Sequence, residues 1–244
     1  MAKKRHVIVG GGTAGLNAIT TIREYDKGES EVVLVAGEWP YSRMVLPYFL
    51  GRSISETHVF TATSPRMAEL GIQYASGDAN TVAPAGEMSP LVSRFIPRRA
   101  TALDTKNNKL TLDDGSVVDY DDLLIATGSS ATRPPVPGAD GDNIYNLWTL
   151  DDAKGVLSHI KDGMDVAMIG AGFISFTILN GVLSHGVKLH IVEIMPQVLP
   201  RMVDKDGATL VEDWLTQRGV NIHTNTAVQS IEDIDGRKKL VMGD

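Results

Sequence analysis

Short apolar runs alternate with glycine turns and amphipathic segments from the start of the chain. Residues 7–9 form an apolar run that leads into three glycines, and residues 14–25 then carry apolar positions at helical spacing. A second, valine-rich run covers residues 31–36, as expected of a strand covered on both faces. A strand, a helix and a strand within about 35 residues predict a βαβ unit.

The middle of the chain follows a different pattern. Residues 75–97 contain prolines and show little periodicity, which predicts a surface excursion. From residue 100 onward, short alternating runs and a turn at residues 113–115 predict a β-hairpin. A buried strand over residues 123–126 is followed by the proline-containing segment 133–138, a stiff connection that predicts a domain boundary just beyond it.

The second half repeats the opening pattern about 160 residues later. Its predicted order is a helix at 151–161, a strand at 166–169, a glycine turn at 170–172, a helix at 174–185 and a strand at 187–192. The sequence therefore predicts an α/β fold with two Rossmann-like, three-layer domains, over residues 1–145 and 146–244.

The first glycine turn has the spacing G-x-G-x-x-G. The first glycine allows a sharp turn, the second lets a pyrophosphate approach the backbone, and the third lets helix and strand pack closely. The positive end of the helix then faces the phosphates. The candidate contacts are Gly10, Gly12, Thr13, Ala14 and Gly15. Glu38 is best placed to accept a hydrogen bond from a ribose, although it lies two residues beyond the predicted strand.

The second glycine turn is a weaker match to the same spacing. Gly170 and Gly172 are present, but Ser175 stands at the third position, which predicts looser packing of helix on strand. Phe173 and Ile174 open the following helix, and Glu193 directly follows the second strand, where a carboxylate holds a 2′-hydroxyl. Residues 194–198 contain no lysine or arginine, so NAD is favoured over NADP. A Rossmann-like layer without a ligand is the alternative.

Composition narrows the function classes. The chain of 244 residues has 23 lysines and arginines against 30 acidic residues, a net charge of −7. Its basic clusters, Lys3 to Arg5 and Arg98 with Arg99, are short, which argues against a nucleic-acid or anionic-membrane surface. No apolar run is long enough for a signal peptide or a membrane span, which predicts a cytoplasmic protein. The six histidines show no metal-ligand spacing.

Three sequence segments together carry a family resemblance. The segments VIVGGGTAGLNA, LLIATGSSATRPPVPG and VAMIGAGFIS resemble the FAD-dependent pyridine nucleotide oxidoreductases, the two-dinucleotide-binding flavoproteins. The resemblance implies that the first glycine turn binds FAD and the second binds NAD(P)H, and the NAD preference argued above makes NADH the expected form. It also implies further cofactor contacts: the flavin beside Arg43, Leu46 and Pro47, the adenine near Ala100, and the ATG segment Ala126, Thr127 and Gly128.

The absence of cysteine selects a branch of that family. The chain has no cysteine, and alignment on the segment LPY places Met44 where the NADH oxidase branch carries its redox cysteine. A thioether forms neither a thiolate nor a mixed disulfide. The chain therefore resembles the ferredoxin and rubredoxin reductases and the flavoprotein portion of nitrite reductases. Family members are longer, so the second domain is expected to be incomplete and the FAD-completing segment and interface domain to be absent.

The resemblance implies hydride transfer from NADH to FAD and electron release to a separate acceptor protein or subunit. Because the cofactors supply the chemistry, no catalytic side chain is predicted. Residues 75–97 are expected to contact a partner subunit, and a homo- or hetero-oligomer is compatible with this. Thr177 stands where relatives often carry a glutamate near the nicotinamide. The alternative is therefore a non-catalytic, FAD- and NAD-binding structural or redox-sensing subunit of a larger complex.

Overall fold

A computed structural model describes residues 3–27, 29–61 and 98–243, and the backbone of three short strands between residues 72 and 96. The chain forms two compact units. The first comprises Met1–Ser42 and Ser55–Ser129, and the second comprises Arg43–Ile54 and Ser130–Asp244. The division into an FAD domain and an NAD domain at residues 145–146 stays a prediction.

The first unit is built on a parallel sheet. Its main elements are β1 (Arg5–Val9), α1 (Thr13–Asp26), β2 (Glu31–Val35), β3 (Ile72–Tyr74) and β9 (Asp122–Ile125). The strand order is β3-β2-β1-β9, with every neighbouring pair parallel. Two antiparallel sheets accompany it: β4 (Gly77–Asp78) with β5 (Phe95–Ile96), and β6 (Ala100–Asp104), β7 (Lys109–Leu112) and β8 (Val117–Asp119). A 3₁₀ turn spans Glu56–Val59.

The alternation of side chains along β1 and β2 sends apolar residues to both faces of the sheet. On one face Ile8 and Leu34 pack with Ile19 of α1. On the other face Val7 and Val33, with their neighbours, pack against apolar residues of β7. Full burial of each such side chain stabilises the fold by about 1.5–3 kcal/mol. The helix, the parallel sheet and the antiparallel sheet thus form the three layers predicted for this unit.

The second unit repeats the alternation of strand and helix. Its elements are a 3₁₀ turn (Arg43–Val45), α2 (Leu46–Leu50), α3 (Leu150–His159), β10 (Asp165–Ile169), α4 (Phe173–Leu183), β11 (Lys188–Val192), α5 (Lys205–Thr216), β12 (Asn221–His223), β13 (Ala227–Ile234) and β14 (Arg237–Gly243). Strands β10, β11 and β12 form a parallel sheet in that order, and β13 pairs antiparallel with β14.

The short helix α2 packs within the second unit, although the segments before and after it in the sequence belong to the first unit. A Cβ atom on Gly181 of α4 would lie 2.7 Å from the carbonyl oxygen of Pro47, so α2 rests directly on the α4 backbone. His185 Nε2 lies 2.7 Å from the Leu50 carbonyl oxygen, and Leu50 is buried in the core of this unit. Residues 43–54 therefore belong structurally to the second unit.

The predicted α/β class with two Rossmann-like units is confirmed. The helix predicted at 14–25 is α1, the one predicted at 174–185 is α4, and the predicted hairpin turn at 113–115 joins β7 to β8. Most of residues 75–97, predicted to be a surface excursion, lies outside the described residues. Within the described part of the chain, no helix has both the length and the apolar character needed to cross a membrane.

Candidate dinucleotide-binding sites

The first glycine turn requires its first and third glycines for the backbone alone. Gly10 has φ +115°, and a Cβ atom on it would lie 2.1 Å from the carbonyl oxygen of Ala126. A Cβ atom on Gly15 would lie 2.0 Å from the Gly10 carbonyl oxygen. No larger side chain fits at either position, because real Cβ contacts are never so short. The turn joins β1 to α1 in close contact with the end of β9.

The middle glycine of this turn is open to a ligand. Apart from its neighbours in the chain, no described atom lies within 4 Å of the position of a Cβ on Gly12. Gly12 is the N-cap of α1 and has no side chain to accept from the first-turn N–H groups of Thr13 and Ala14. These donors and the helix dipole favour an anion. The turn therefore fits a dinucleotide pyrophosphate.

The ATG segment adjoins the same turn. The Ala126 N–H donates to the Val9 carbonyl at 2.7 Å, which continues the pairing of β9 with β1 past the end of the strand. Gly128 has φ +70° with open space around its Cβ position, and Thr127 is exposed. The structure thus brings the ATG segment and Gly10 together, as their assignment to one cofactor requires.

Glu38 and Ala100 both belong to the first unit: Glu38 lies in the loop after β2, and Ala100 lies in β6. Glu38 is half-buried, and its Oε2 accepts a hydrogen bond from the Tyr41 hydroxyl at 2.9 Å. Ala100 begins β6 and packs against the apolar cluster that contains Val7 and Val35. Arg99, immediately before Ala100, lies against Gly37, immediately before Glu38. Sequence reasoning missed this last contact.

The second glycine turn has the same two features that admit a pyrophosphate. Gly170 has φ +95°, and apart from chain neighbours neither Gly170 nor Gly172 has a described atom within 4 Å of its Cβ position. Gly172 is the N-cap of α4 and makes no side-chain cap. Phe173 and Ile174, the first residues of α4, are each 59 % exposed. Ser175 is half-buried, so its hydroxymethyl group is accommodated at the third position.

Glu193 has a role that its sequence position does not reveal. Its side chain is only 7 % exposed, and each carboxylate oxygen accepts a backbone N–H. Oε2 accepts from Ala171, inside the glycine turn, at 2.6 Å, and Oε1 accepts from Met195 at 2.8 Å. A carboxylate offers about four acceptor positions, so it can also receive a ribose hydroxyl. Glu193 therefore fixes the glycine turn to the loop after β11.

The residues predicted to face the flavin, Arg43, Leu46 and Pro47, belong to the second unit. The Arg43 guanidinium lies 5.1 Å from the centre of the Trp148 ring and donates to the Trp148 carbonyl. Leu46 is buried, Pro47 lies in the first turn of α2, and Met44 is 82 % exposed. The partnership of Arg43 with Trp148, 105 residues away in sequence, has no signal in the sequence.

The whole described architecture agrees with one family. Residues 4–244 match the family model described as pyridine nucleotide-disulphide oxidoreductase. The chain belongs to this family. The match spans both glycine turns and the connection between them, so the resemblance drawn from the three sequence segments is confirmed.

Relatives and solved structures agree with this assignment. The chain is similar to an NADH oxidase of Methanocaldococcus jannaschii, with 29 % identity over 97 % of this chain and 50 % of the relative. It is 26 % identical to a rubredoxin-NAD(+) reductase of Pseudomonas putida, over 94 % of this chain and 55 % of the relative. The chain thus spans about half the length of both relatives. A ferredoxin reductase from Rhodopseudomonas palustris has the same fold, with a TM-score of 0.82, 22 % identity, and coverage of 98 % of this chain and 55 % of that one.

Proposed function

We propose that this chain is the nucleotide-binding portion of an FAD-dependent NADH:acceptor oxidoreductase. The observation that carries the proposal is the pair of open glycine turns. Gly12 and Gly172 each begin a helix without a side-chain cap, and each leaves open space where a Cβ would stand. Two such turns in one chain match a protein that holds two dinucleotides.

The first unit binds FAD in this proposal. Gly10 and Gly15 shape the turn, and the N–H groups that begin α1 bind the pyrophosphate. Glu38 accepts from the adenosine ribose, with its carboxylate oriented by the Tyr41 hydroxyl. The ATG segment lies beside this turn and completes the wall of the site.

The second unit binds NADH. The N–H groups at the start of α4 bind its pyrophosphate, and Glu193 binds the 2′-hydroxyl of its adenosine ribose. A 2′-phosphate would meet the buried carboxylate without a compensating cation, because residues 194–198 carry no lysine or arginine. The unit therefore prefers NADH to NADPH.

Held at the turn formed by Gly10, Gly12 and Gly15, FAD would supply hydride acceptance from NADH and the release of single electrons, and the chain contributes binding and orientation. The chain has no cysteine, and the exposed thioether of Met44 stands at the redox-cysteine position. Electrons therefore leave for a separate redox protein or a partner subunit rather than for a disulfide of this chain. The Pseudomonas putida relative is named for the small redox protein rubredoxin.

The test is electron transfer from NADH to a one-electron acceptor protein. The purified protein with FAD should reduce rubredoxin or a ferredoxin in the presence of NADH, and should leave a small-molecule disulfide unreduced. Substitution Gly12→Val, which fills the open space at the first turn, should abolish the activity together with FAD binding. Activity that survives without bound FAD would overturn the proposal.

One observation favours the non-catalytic alternative. The hydroxyl of Thr177, where relatives often carry a glutamate, donates to the Ile174 carbonyl of its own helix at 2.7 Å. It therefore makes a contact within α4 that needs no nicotinamide. A structural or redox-sensing subunit would bind FAD and NADH tightly, and the flavin would not respond to NADH.

A further inference from the structure

Two consecutive arginines in the first unit are placed very differently. Arg98 is paired with acidic side chains, at 3.0 Å from Asp114 and 3.8 Å from Asp113. Arg99 is exposed, and within the described residues its guanidinium makes no ion pair or hydrogen bond. The Arg99 side chain instead lies along Gly37. A Cβ on Gly37 would be 3.0 Å from Arg99 Cγ and 3.3 Å from both Cζ and Nε.

The backbone of Arg99 is held from both sides. Its N–H donates to Asp113 Oδ2 at 3.1 Å, and its carbonyl accepts from the Asp113 N–H at 2.9 Å. Gly37 has no positive φ, so its backbone conformation does not demand glycine. The missing side chain at Gly37 provides space, and the Arg99 side chain fills that space from Cγ to the guanidinium carbon Cζ. The two backbone hydrogen bonds and the contact with Gly37 therefore hold the Arg99 side chain in one position.

The position of this contact relates it to the first dinucleotide. Gly37 lies between the end of β2 and Glu38. In a Rossmann unit the acidic residue after the second strand receives the adenosine ribose. The Arg99 side chain thus lies against Gly37, the residue that precedes the proposed ribose acceptor Glu38. Among the described residues no carboxylate pairs with its guanidinium.

We propose that Arg99 binds the adenosine end of the dinucleotide held by the first unit, with its planar guanidinium packed on the adenine ring. This inference rests on the proposed function. A guanidinium stacks favourably on an aromatic ring and keeps its charge at every physiological pH. Gly37 is then a specificity position, because a Cβ there would lie 3.0–3.3 Å from the Arg99 side chain and would force that side chain to shift.

The experiment measures FAD affinity of the flavin-free protein by fluorescence quenching. Arg99→Gln should weaken FAD binding about three- to thirtyfold, the scale of a lost cation–π contact. The control is Lys109→Gln, which removes an exposed cation of the same small sheet whose Asp119 partner is 3.7 Å away. The control should bind FAD as the unchanged protein does. Thermal unfolding of each flavin-free variant checks that the fold is retained.

Displacement of FAD by ADP locates the effect. The flavin fluorescence reports only the FAD site, so the ADP affinity obtained in this way excludes binding at the second turn. Arg99→Gln should weaken ADP and FAD by the same factor. An effect on FAD alone, or no effect on either, would overturn the inference.

A second variant tests the contact itself. Gly37→Ala should weaken FAD binding in the unchanged protein. It should have little further effect in the Arg99→Gln variant, because the two substitutions disturb the same contact. Fully additive effects would contradict the inference. If the unchanged protein binds neither FAD nor ADP, the proposed function fails as well, and that failure is visible before any variant is made.

Discussion

The buried carboxylate of Glu193 should stabilise the second unit in the absence of any nucleotide. Glu193→Ala removes the acceptor of two backbone N–H groups, at 2.6 Å from Ala171 and 2.8 Å from Met195. Each hydrogen bond to a charged group contributes about 1.5–3 kcal/mol, and a buried N–H left unpaired costs about 1–3 kcal/mol. The Met195 N–H is only partly buried and regains water, so we expect a net loss of about 2–4 kcal/mol.

Urea denaturation without nucleotide measures this loss, and a second variant defines its cause. Glu193→Gln retains one oxygen acceptor but turns an amide NH₂ toward the other N–H, so it should lose about 1–2 kcal/mol. The control is Glu232→Ala on the β13–β14 hairpin, where the carboxylate is half exposed and pairs with Lys239 at 3.2 Å. Exposed pairs contribute about 0–1 kcal/mol, so this variant should unfold almost as the unchanged protein does.

Titration with NADH separates the two roles of the carboxylate. If Glu193 both fixes the glycine turn and binds ribose, the alanine variant loses stability and NADH affinity together. A variant that unfolds at the unchanged urea concentration but binds NADH weakly would show that the carboxylate acts on ribose alone. That result would refute the structural role derived from its two backbone contacts.

Three further predictions concern the first glycine turn, the packing of α2 on α4 and an ion pair of the first unit. Gly10→Ala should lower the free energy of unfolding of the first unit by about 3 kcal/mol or more and abolish FAD binding, since φ is +115° and the methyl group would lie 2.1 Å from a carbonyl oxygen. The control is Gly115→Ala, which has φ +82° and open space and should lower the free energy of unfolding by about 1–2 kcal/mol in the same urea assay. Gly181→Ala should lower the melting temperature, because its methyl group would lie 2.7 Å from a carbonyl oxygen of α2. The hydrogen bond from Lys4 holds the pKa of Asp122 below its ordinary value, so its stabilisation is present above about pH 4 and is lost as the pH falls further; Asp122→Asn should reduce the dependence of melting temperature on pH in that range.

The two nucleotide folds could be predicted because their signals are local. The valine-rich runs, the glycine spacing and the following helices all lie within about 35 residues of each other, and backbone sterics fix what each glycine does. The requirement for glycine at positions 10 and 15 is visible in both sequence and structure. Element ends shifted by one or two residues, since terminal turns are held by few contacts.

Several contacts at the site could not be predicted. They join residues that are distant in sequence, or they involve a residue for which the sequence indicates only one of two functions. Residues 43–54 read as part of the first domain, yet α2 packs on α4 through the bare backbone of Gly181. The sequence does not indicate why residue 37 is a glycine, because the Arg99 side chain that fills the space there comes from a distant part of the chain. The sequence predicts Glu193 as a ribose acceptor, and its buried hydrogen bond from Ala171 shows that it also holds the glycine turn in place.

The central claim is that two dinucleotides bound to one chain exchange a hydride. Anaerobic rapid mixing of the FAD-loaded protein with NADH, followed at the visible absorption band of the flavin, tests it most directly. This band should bleach within a single turnover, faster with NADH than with NADPH, and should return when a one-electron acceptor protein is added. A bound flavin whose absorption NADH leaves unchanged would contradict the claim and support the non-catalytic subunit.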